Sequence, residues 1–173
     1  SVIRHTVGSY NLNNSFVSLG GTNKKFKYYG FANFKFGDDW RPNSSFNLKN
    51  GYLHLTYSPN EKTNLNFEIT KMNYLAQQPG GLTDQAFTIN PDTSFRKRNW
   101  FKVDWNLAAF QLDYEFNSST RLNSRTFGLI ASRESLGYLD QINRIDPGEG
   151  RNLISGKFKN IGNETRLIHL YER

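Results

Sequence analysis

Cysteine is absent from the 173 residues, methionine occurs once and proline five times. Without cysteine there is no disulfide framework and no thiolate metal site, so the compartment has to be inferred from the fold. No apolar run approaches the roughly 18 residues of a membrane-spanning helix. No basic segment followed by an apolar core begins the chain, so Ser1 is not read as a natural start. His5, His54 and His169 fall on separate predicted strands with no paired spacing, and no metal site is assigned. A phosphate-cradling glycine loop and a nucleophile elbow are both missing, and no Ser or Asp is singled out as catalytic. The expectation is a protein that is not an enzyme and needs no cofactor.

Aromatic rings are what the chain has in abundance. They make up 15% of it, with 14 Phe and 9 Tyr, although only 36% of all residues are hydrophobic. Asn, Ser, Thr and Gly fill the gaps between them. A membrane barrel needs this mixture: its outer surface meets lipid, Tyr and Trp sit at the two interfaces, and its interior is polar. The formal net charge of +7 fits an anionic ligand, lipopolysaccharide or nucleic acid, and the position of the charges has to decide among them.

Apolar residues alternate along much of the chain and helical spacing is sustained nowhere, which predicts an all-β, antiparallel fold of eight strands. The strands are expected at about 2–8, 13–19, 25–36, 46–57, 63–74, 99–116, 121–133 and 163–171. On the third, Phe26, Tyr28, Gly30, Ala32, Phe34 and Phe36 share one face, while Lys25, Lys27, Tyr29, Phe31, Asn33 and Lys35 share the other. On the sixth, the apolar phase changes between Phe101, Val103, Trp105, Leu107 and Phe110, Leu112, Tyr114, Phe116, which predicts a bulge near Ala108 and Ala109. Short turns at about 20–24, 58–62 and 117–120 fall at one end; longer irregular segments at 37–45, 75–98 and 134–160 fall at the other. Outer-membrane barrels show this rhythm, with short periplasmic turns and long extracellular loops. Tyr57, Tyr114 and Phe116 precede short turns, where an aromatic girdle would sit. A soluble β-sandwich with an aromatic core is the alternative fold.

Three groups of residues carry a family resemblance. The most specific is Leu75-Ala76-Gln77-Gln78-Pro79-Gly80-Gly81-Leu82-Thr83-Asp84, followed by Asn90-Pro91-Asp92-Thr93-Ser94 and by Arg98-Asn99-Trp100-Phe101-Lys102-Val103-Asp104-Trp105-Asn106-Leu107. The others are Phe16–Asn23 with Asp39–Ser44, and Phe127–Arg133 with Leu136-Gly137-Tyr138. Together they resemble the TonB-dependent outer-membrane receptors, particularly the ferric dicitrate type, over most of the chain and more weakly beyond about residue 140. The resemblance implies that residues 1–173 form about the first eight strands of a 22-stranded transmembrane barrel, with the plug domain, the TonB-contacting segment and the remaining strands outside this sequence. It also implies residence in the bacterial outer membrane and uptake of an iron chelate such as ferric citrate or another siderophore. The expected partners are that chelate, outer-membrane lipid and lipopolysaccharide, and, through the rest of the protein, the plug and TonB.

Arg96, Lys97 and Arg98 gather in the second long segment, and Arg133 is expected to end the strand entering the third. A carboxylate-rich chelate suits the planar, bidentate donors of arginine. The resemblance therefore implies Arg96, Arg98 and Arg133 as ligand-binding candidates, with Gln77 and Gln78 as neutral donors. The plainer alternative is that these arginines bridge loops or meet lipopolysaccharide phosphates. Asp38, Asp39, Asp140, Asp146 and Glu149 are read as solvated rather than as calcium ligands. Two competing readings are a small closed eight-stranded barrel with a structural or adhesion role, and a soluble sugar- or nucleic-acid-binding module. The second would need its rings gathered on one face as a stacking platform, and they alternate instead, so no nucleic-acid partner is expected.

Overall fold

The computed structural model describes residues 1–171. Its eight strands follow one another in a single antiparallel sheet in the order β1-β2-β3-β4-β5-β6-β7-β8. They are β1 (Val2–Gly8), β2 (Leu12–Asn23), β3 (Phe26–Gly37), β4 (Phe46–Asn60), β5 (Thr63–Gln77), β6 (Trp100–Asn117), β7 (Thr120–Gly137) and β8 (Asn152–His169). Each strand pairs only with its sequence neighbours, so β1 and β8 do not meet and the sheet is open. A closed eight-stranded barrel is not what forms.

The three connections at one end are Lys24-Lys25, Glu61-Lys62 and Ser118-Ser119. Asparagine side chains tighten two of them: Asn60 accepts from the Lys62 N–H and Asn117 from the Ser119 N–H, both at 3.0 Å. At the other end the β1–β2 connection is also tight, with Tyr10 and Asn11 both in the left-handed region that a primed hairpin turn requires. The remaining connections there are long, spanning 38–45, 78–99 and 138–151.

The register assigns every side chain to a face. One face carries Phe26, Tyr28, Phe34 and Phe36 of β3, Leu53, Leu55 and Tyr57 of β4, Leu65, Phe67 and Ile69 of β5, and Phe110, Leu112 and Tyr114 of β6. These form an apolar belt that lies near the two-residue turns on β4, β5 and β6 and extends on β3 to Phe34 and Phe36 toward the long loops; near the turns Phe26 stacks on Tyr57 at 4.6 Å. The opposite face mixes rings with polar groups at the same height, with Tyr29, Phe31 and Tyr52 clustered at centroid distances of 6.5, 6.3 and 5.9 Å. There His54 and Arg125 flank Glu68, and Asn66, Gln111 and Asn123 all donate to Asp113.

Neither face of this sheet is covered by a second layer. The buried hydrophobic residues are Ala76, Ala109 and Ala131 alone among the described residues, while Phe26, Phe34, Phe110 and Ile130 stay half or more open or close to it. A β-sandwich would bury one face against a partner sheet about 10 Å away. That alternative is excluded, because the largest apolar side chains all lie on the surface.

Three expectations need correction. The ladder runs without a shift through Ala108 and Ala109 on both sides of β6, so there is no bulge; its irregularities lie at Tyr57/Asn60 and Glu115/Asn117. The change of apolar phase is real and has a different cause. Strands β6, β7 and β8 are 18 residues long, about twice the 9–11 residues that cross a bilayer. In β6 the apolar residues occupy the belt face near the turns and change to the opposite face further up. The belt face there becomes Lys102, Asp104 and Asn106.

The second correction concerns β8, which begins at Asn152 rather than near 163 and pairs along the whole of β7. The third concerns the long second connection, which contains a short helix α1 (Asp84–Ile89) capped by the Thr83 hydroxyl accepting from the Ala86 N–H at 3.2 Å. No helix among the described residues is long and apolar enough to cross a membrane, which says nothing of strands.

Candidate functional site: a cleft beneath three tied loops

The long connections are bound into one cap. Asn43 sits in the left-handed region (φ 65°), which asparagine tolerates better than most residues, and is buried. Its amide donates to the carbonyls of Gln78 (3.0 Å), Arg96 and Asn99 (3.2 Å), so the first long loop is stitched to both ends of the second. Arg41 of the same loop donates to the Gly80 carbonyl.

Arg96 joins the second loop to the third. It is 5% exposed, and its two terminal nitrogens donate to the carbonyls of Phe95 (3.2 Å), Arg144 (2.5 Å), Asp140 (2.7 Å) and Gln141 (2.8 Å). Its guanidinium lies 5.0 Å from the centre of the Tyr138 ring. Arg98 grips Asp146 bidentately, Nε at 2.9 Å and Nη2 at 2.6 Å, and also donates to the Glu149 carbonyl. Asn99 lies over Gly137, accepting from the Tyr138 N–H at 2.9 Å; a Cβ at residue 137 would collide with its amide, so only glycine fits there.

Three of the loop acids, Asp39, Asp140 and Asp146, are engaged rather than simply solvated. Arg98, and after it the Gly148 N–H, hold the Asp146 carboxyl at a pKa of about 2, against desolvation. The Gln141 N–H and the Tyr138 hydroxyl hold Asp140 below the usual carboxylate range, and the hydrogen bond to Asp140 in turn pushes the Tyr138 hydroxyl up. Because folding depresses the Asp146 pKa, its contribution is complete above about pH 4, the unfolded value, and is lost as pH falls toward about 2. Pepsin should accordingly begin to cut within 138–151 between pH 4 and pH 2. In Asp146→Asn that loop should already be cut at pH 4, with a smaller further rise toward pH 2 once rates are normalised to an unstructured peptide; a pH profile identical to wild type in this variant would disconnect Asp146 from the loop's protection.

Beneath the cap, on the face opposite the apolar belt, lies a cleft of about 680 Å3. Tyr74 and Phe101 form its floor, Pro79, Gly80 and Ile142 its walls, and Gln77, Gln78, Arg96 and Asn99 its polar margin. Gln77 uses its side-chain oxygen to accept from the Ser45 hydroxyl (2.6 Å) and N–H (3.3 Å), which leaves its amide nitrogen to donate elsewhere.

Of the five residues singled out from the sequence, Gln77, Gln78 and Arg96 meet at this cleft. Arg98 is paired with Asp146 and does not line the cleft. Arg133 does not end its strand, since β7 runs on to Gly137; it stands across from Val103 on the cleft's face of the sheet, exposed, and has no acidic partner among the described residues. Sequence reasoning missed Asn43, Asn99, Tyr138 and Asp146. Only Asn43 carried a local signal, an asparagine after Pro42 in a turn-forming run. Each histidine is satisfied locally: His5 by Ser15, His54 by Thr56 and Asn66, His169 by Thr120.

A single-layer, open, antiparallel sheet with an apolar belt on one face, polar ladders on the other and long loops at one end defines the wall of a β-barrel. Comparison with solved structures agrees: the chain superposes on the crystal structure of the unliganded ferric citrate transporter FecA with a TM-score of 0.77 and 22% identity, over 99% of this chain and 25% of that one. This likeness is one of fold, and the chain spans a quarter of the length of the transporter. No protein-family model and no curated protein sequence matches the chain.

Proposed function

We propose that residues 1–173 form part of the barrel of an outer-membrane receptor for a small anionic iron chelate, of the ferric citrate or a related siderophore class. The remaining strands of a barrel of about 22, a plug and a TonB contact would be supplied by the rest of the protein. The observation that carries this reading is the pairing of opposite faces in one uncovered sheet. A lipid-compatible belt lies behind a polar inner wall, whose upper end holds a loop-capped cleft beside an unpaired arginine. The superposition on a barrel wall supports the same reading. A closed eight-stranded barrel has less in its favour, because β1 and β8 do not meet.

Within the proposed mouth the five candidate residues divide by their availability. Arg133 and Gln78 are free to meet a ligand, and Gln77 keeps one donor for it. Arg96 and Arg98 are committed to the loops and shape the cleft. Losing one charge-assisted contact to a carboxylate costs about 1.5–3 kcal/mol, or roughly ten- to a hundredfold in affinity. In the full-length protein, Arg133→Ala should weaken ferric citrate by that factor and leave an uncharged chelate unaffected, while Lys62→Ala in the two-residue turn at the far end should change neither. Equal affinity of wild type and Arg133→Ala for ferric citrate, measured by titration, would remove Arg133 from the site. An equal loss for both chelates would show collapse of the mouth instead of charge recognition.

A further inference from the structure

Resting on the membrane reading above, we propose that the belt-side face of β7 and β8 is the contact surface for a second copy of this chain, two barrels standing side by side about a twofold axis along the membrane normal. The observation is a polar island inside the apolar belt. On the rung that carries Phe67 and Phe110, the next two residues are Thr126 and Asn163; on the rung of Leu65 and Leu112 they are Ser124 and Thr165. Gly128 with Ile161 closes the island toward the long loops, and Leu122 with Leu167 closes it toward the two-residue turns. At this height a lipid-facing strand should carry apolar side chains.

The four polar residues satisfy one another incompletely. Asn163 donates to the Thr126 hydroxyl at 2.8 Å, Thr165 donates to the Asn163 side-chain oxygen at 2.9 Å, and Ser124 and Thr165 share a hydrogen bond of 2.8 Å. The Thr126 hydroxyl serves only as an acceptor, so its proton has no partner among the described residues. In hydrocarbon there is no water to take that proton, and polar groups of this kind hydrogen-bond across the contacts between spanning segments. Strands added beside β8 would extend the sheet sideways and leave this face uncovered.

The chemistry of the island indicates what covers it. Its hydroxyls and carboxamide are uncharged and both donate and accept, so it is complementary to itself, as a twofold interface requires. The relief is self-complementary too. Beside the island lies a recess of about 490 Å3 floored by Ala108 and Gly128, and at its edge Ile161 stands 84% exposed. The fold does not require Gly128: the ladder is regular there, and a Cβ would meet nothing nearer than the Asn160 carbonyl at 3.8 Å. A twofold along the membrane normal keeps every residue at its own height, so Ile161 of each copy comes to the recess of the other and island meets island. Lys157 and Lys159 bound the surface on the long-loop side, where their ammonium groups can turn to water.

The test counts protomers of the full-length protein in vesicles by single-molecule photobleaching over a range of dilutions in lipid. Wild type should be dimeric at high protein density. Gly128→Ile, which fills the recess with a side chain suited to a strand, should be monomeric at every density. Thr126→Val/Asn163→Leu/Thr165→Val, which makes the island lipid-compatible, should raise the dissociation constant about ten- to a hundredfold. Phe34→Leu, on the same face of β3, should dissociate as wild type does. A wild type that enters vesicles but is monomeric at every density, as it would be if a different membrane protein covered the island, overturns the interface alone. So does a dimer that both the Gly128 and the island variants leave intact. A protein that does not enter vesicles overturns the membrane reading together with the interface.

Discussion

Replacing Arg96 by alanine is expected to detach the 138–151 loop from the rest of the cap. Four carbonyls, those of Phe95, Asp140, Gln141 and Arg144, lose their donor at once, and the Tyr138 ring loses the guanidinium that covers it. Hydrogen bonds to a charged donor contribute about 1.5–3 kcal/mol each, and water entering the opened loop recovers part of the loss. A local destabilisation of about 3–4 kcal/mol follows, enough to raise the rate of proteolytic nicking in 138–151 by roughly two to three orders of magnitude. Lysine offers three donors around one point in place of a planar fork, so Arg96→Lys should recover only a fraction of the protection. Arg133→Ala should leave it intact, since Arg133 has no partner in the cap. Nicking of Arg96→Ala at the wild-type rate would show that other contacts hold the loop.

Replacing Asn43 by alanine should act on the opposite side of the cap. The Asn99 carbonyl would still accept from the Gln78 N–H at 2.9 Å, but the carbonyls of Gln78 and Arg96 would be left without this donor. A buried acceptor left unsatisfied costs about 1–3 kcal/mol. Alanine in the left-handed conformation adds about 1 kcal/mol, which asparagine largely avoids. The sum, about 3 kcal/mol or more, should speed hydrogen exchange of the 78–99 amides by roughly a hundredfold or more while the amides of β5 and β6 below keep their protection. Asn43→Gly relieves the backbone strain without restoring the donor, so it should fall between alanine and wild type. Identical exchange in all three proteins would contradict the role assigned to this amide.

The strands were legible wherever both faces of the chain differ in chemistry. On β3 the alternation of Phe26, Tyr28, Phe34 and Phe36 with Lys27, Asn33 and Lys35 fixes type, phase and face, because a slip of one residue would exchange belt for lumen. On β8 the same method fails. Leu153 and Ile154 are adjacent, Phe158 and Ile161 lie on opposite faces, and Gly156 and Gly162 interrupt the pattern. That strand is specified by the ladder that β7 offers it, and a partner's backbone leaves no trace in a segment's own periodicity.

The phase change on β6 was visible, but its cause was not. A bulge is the local explanation, whereas a strand that outruns the apolar belt and exchanges its apolar face is a property of the whole sheet. The cap was the least legible part. Arg96, Asn43 and Asp146 are separated by roughly 50 residues each, and nothing in their own segments shows that Asn43 and Arg96 donate to backbone carbonyls of other loops or that the Asp146 carboxylate accepts from Arg98. The resemblance and the bidentate chemistry of arginine pointed to Arg96, Arg98 and Arg133 together, yet the first two are committed to the cap, and of the three only Arg133, in the strand beneath, has no partner among the described residues.

The central claim is that one face of this sheet meets lipid in its lower half while the other meets water throughout. The absence of cysteine from residues 1–173 makes single-cysteine spin labels straightforward. The most direct measurement is power saturation of labels at 55, 67 and 110 on the belt face, at 71 and 157 on the same face above it, and at 56, 66 and 113 on the opposite face, in the full-length protein reconstituted into vesicles. Labels at 55, 67 and 110 should favour collision with oxygen over an aqueous nickel chelate, and the other five should favour the chelate. Equal access of the nickel chelate to 55, 67, 110 and their opposite-face counterparts would contradict the assignment of the belt to lipid.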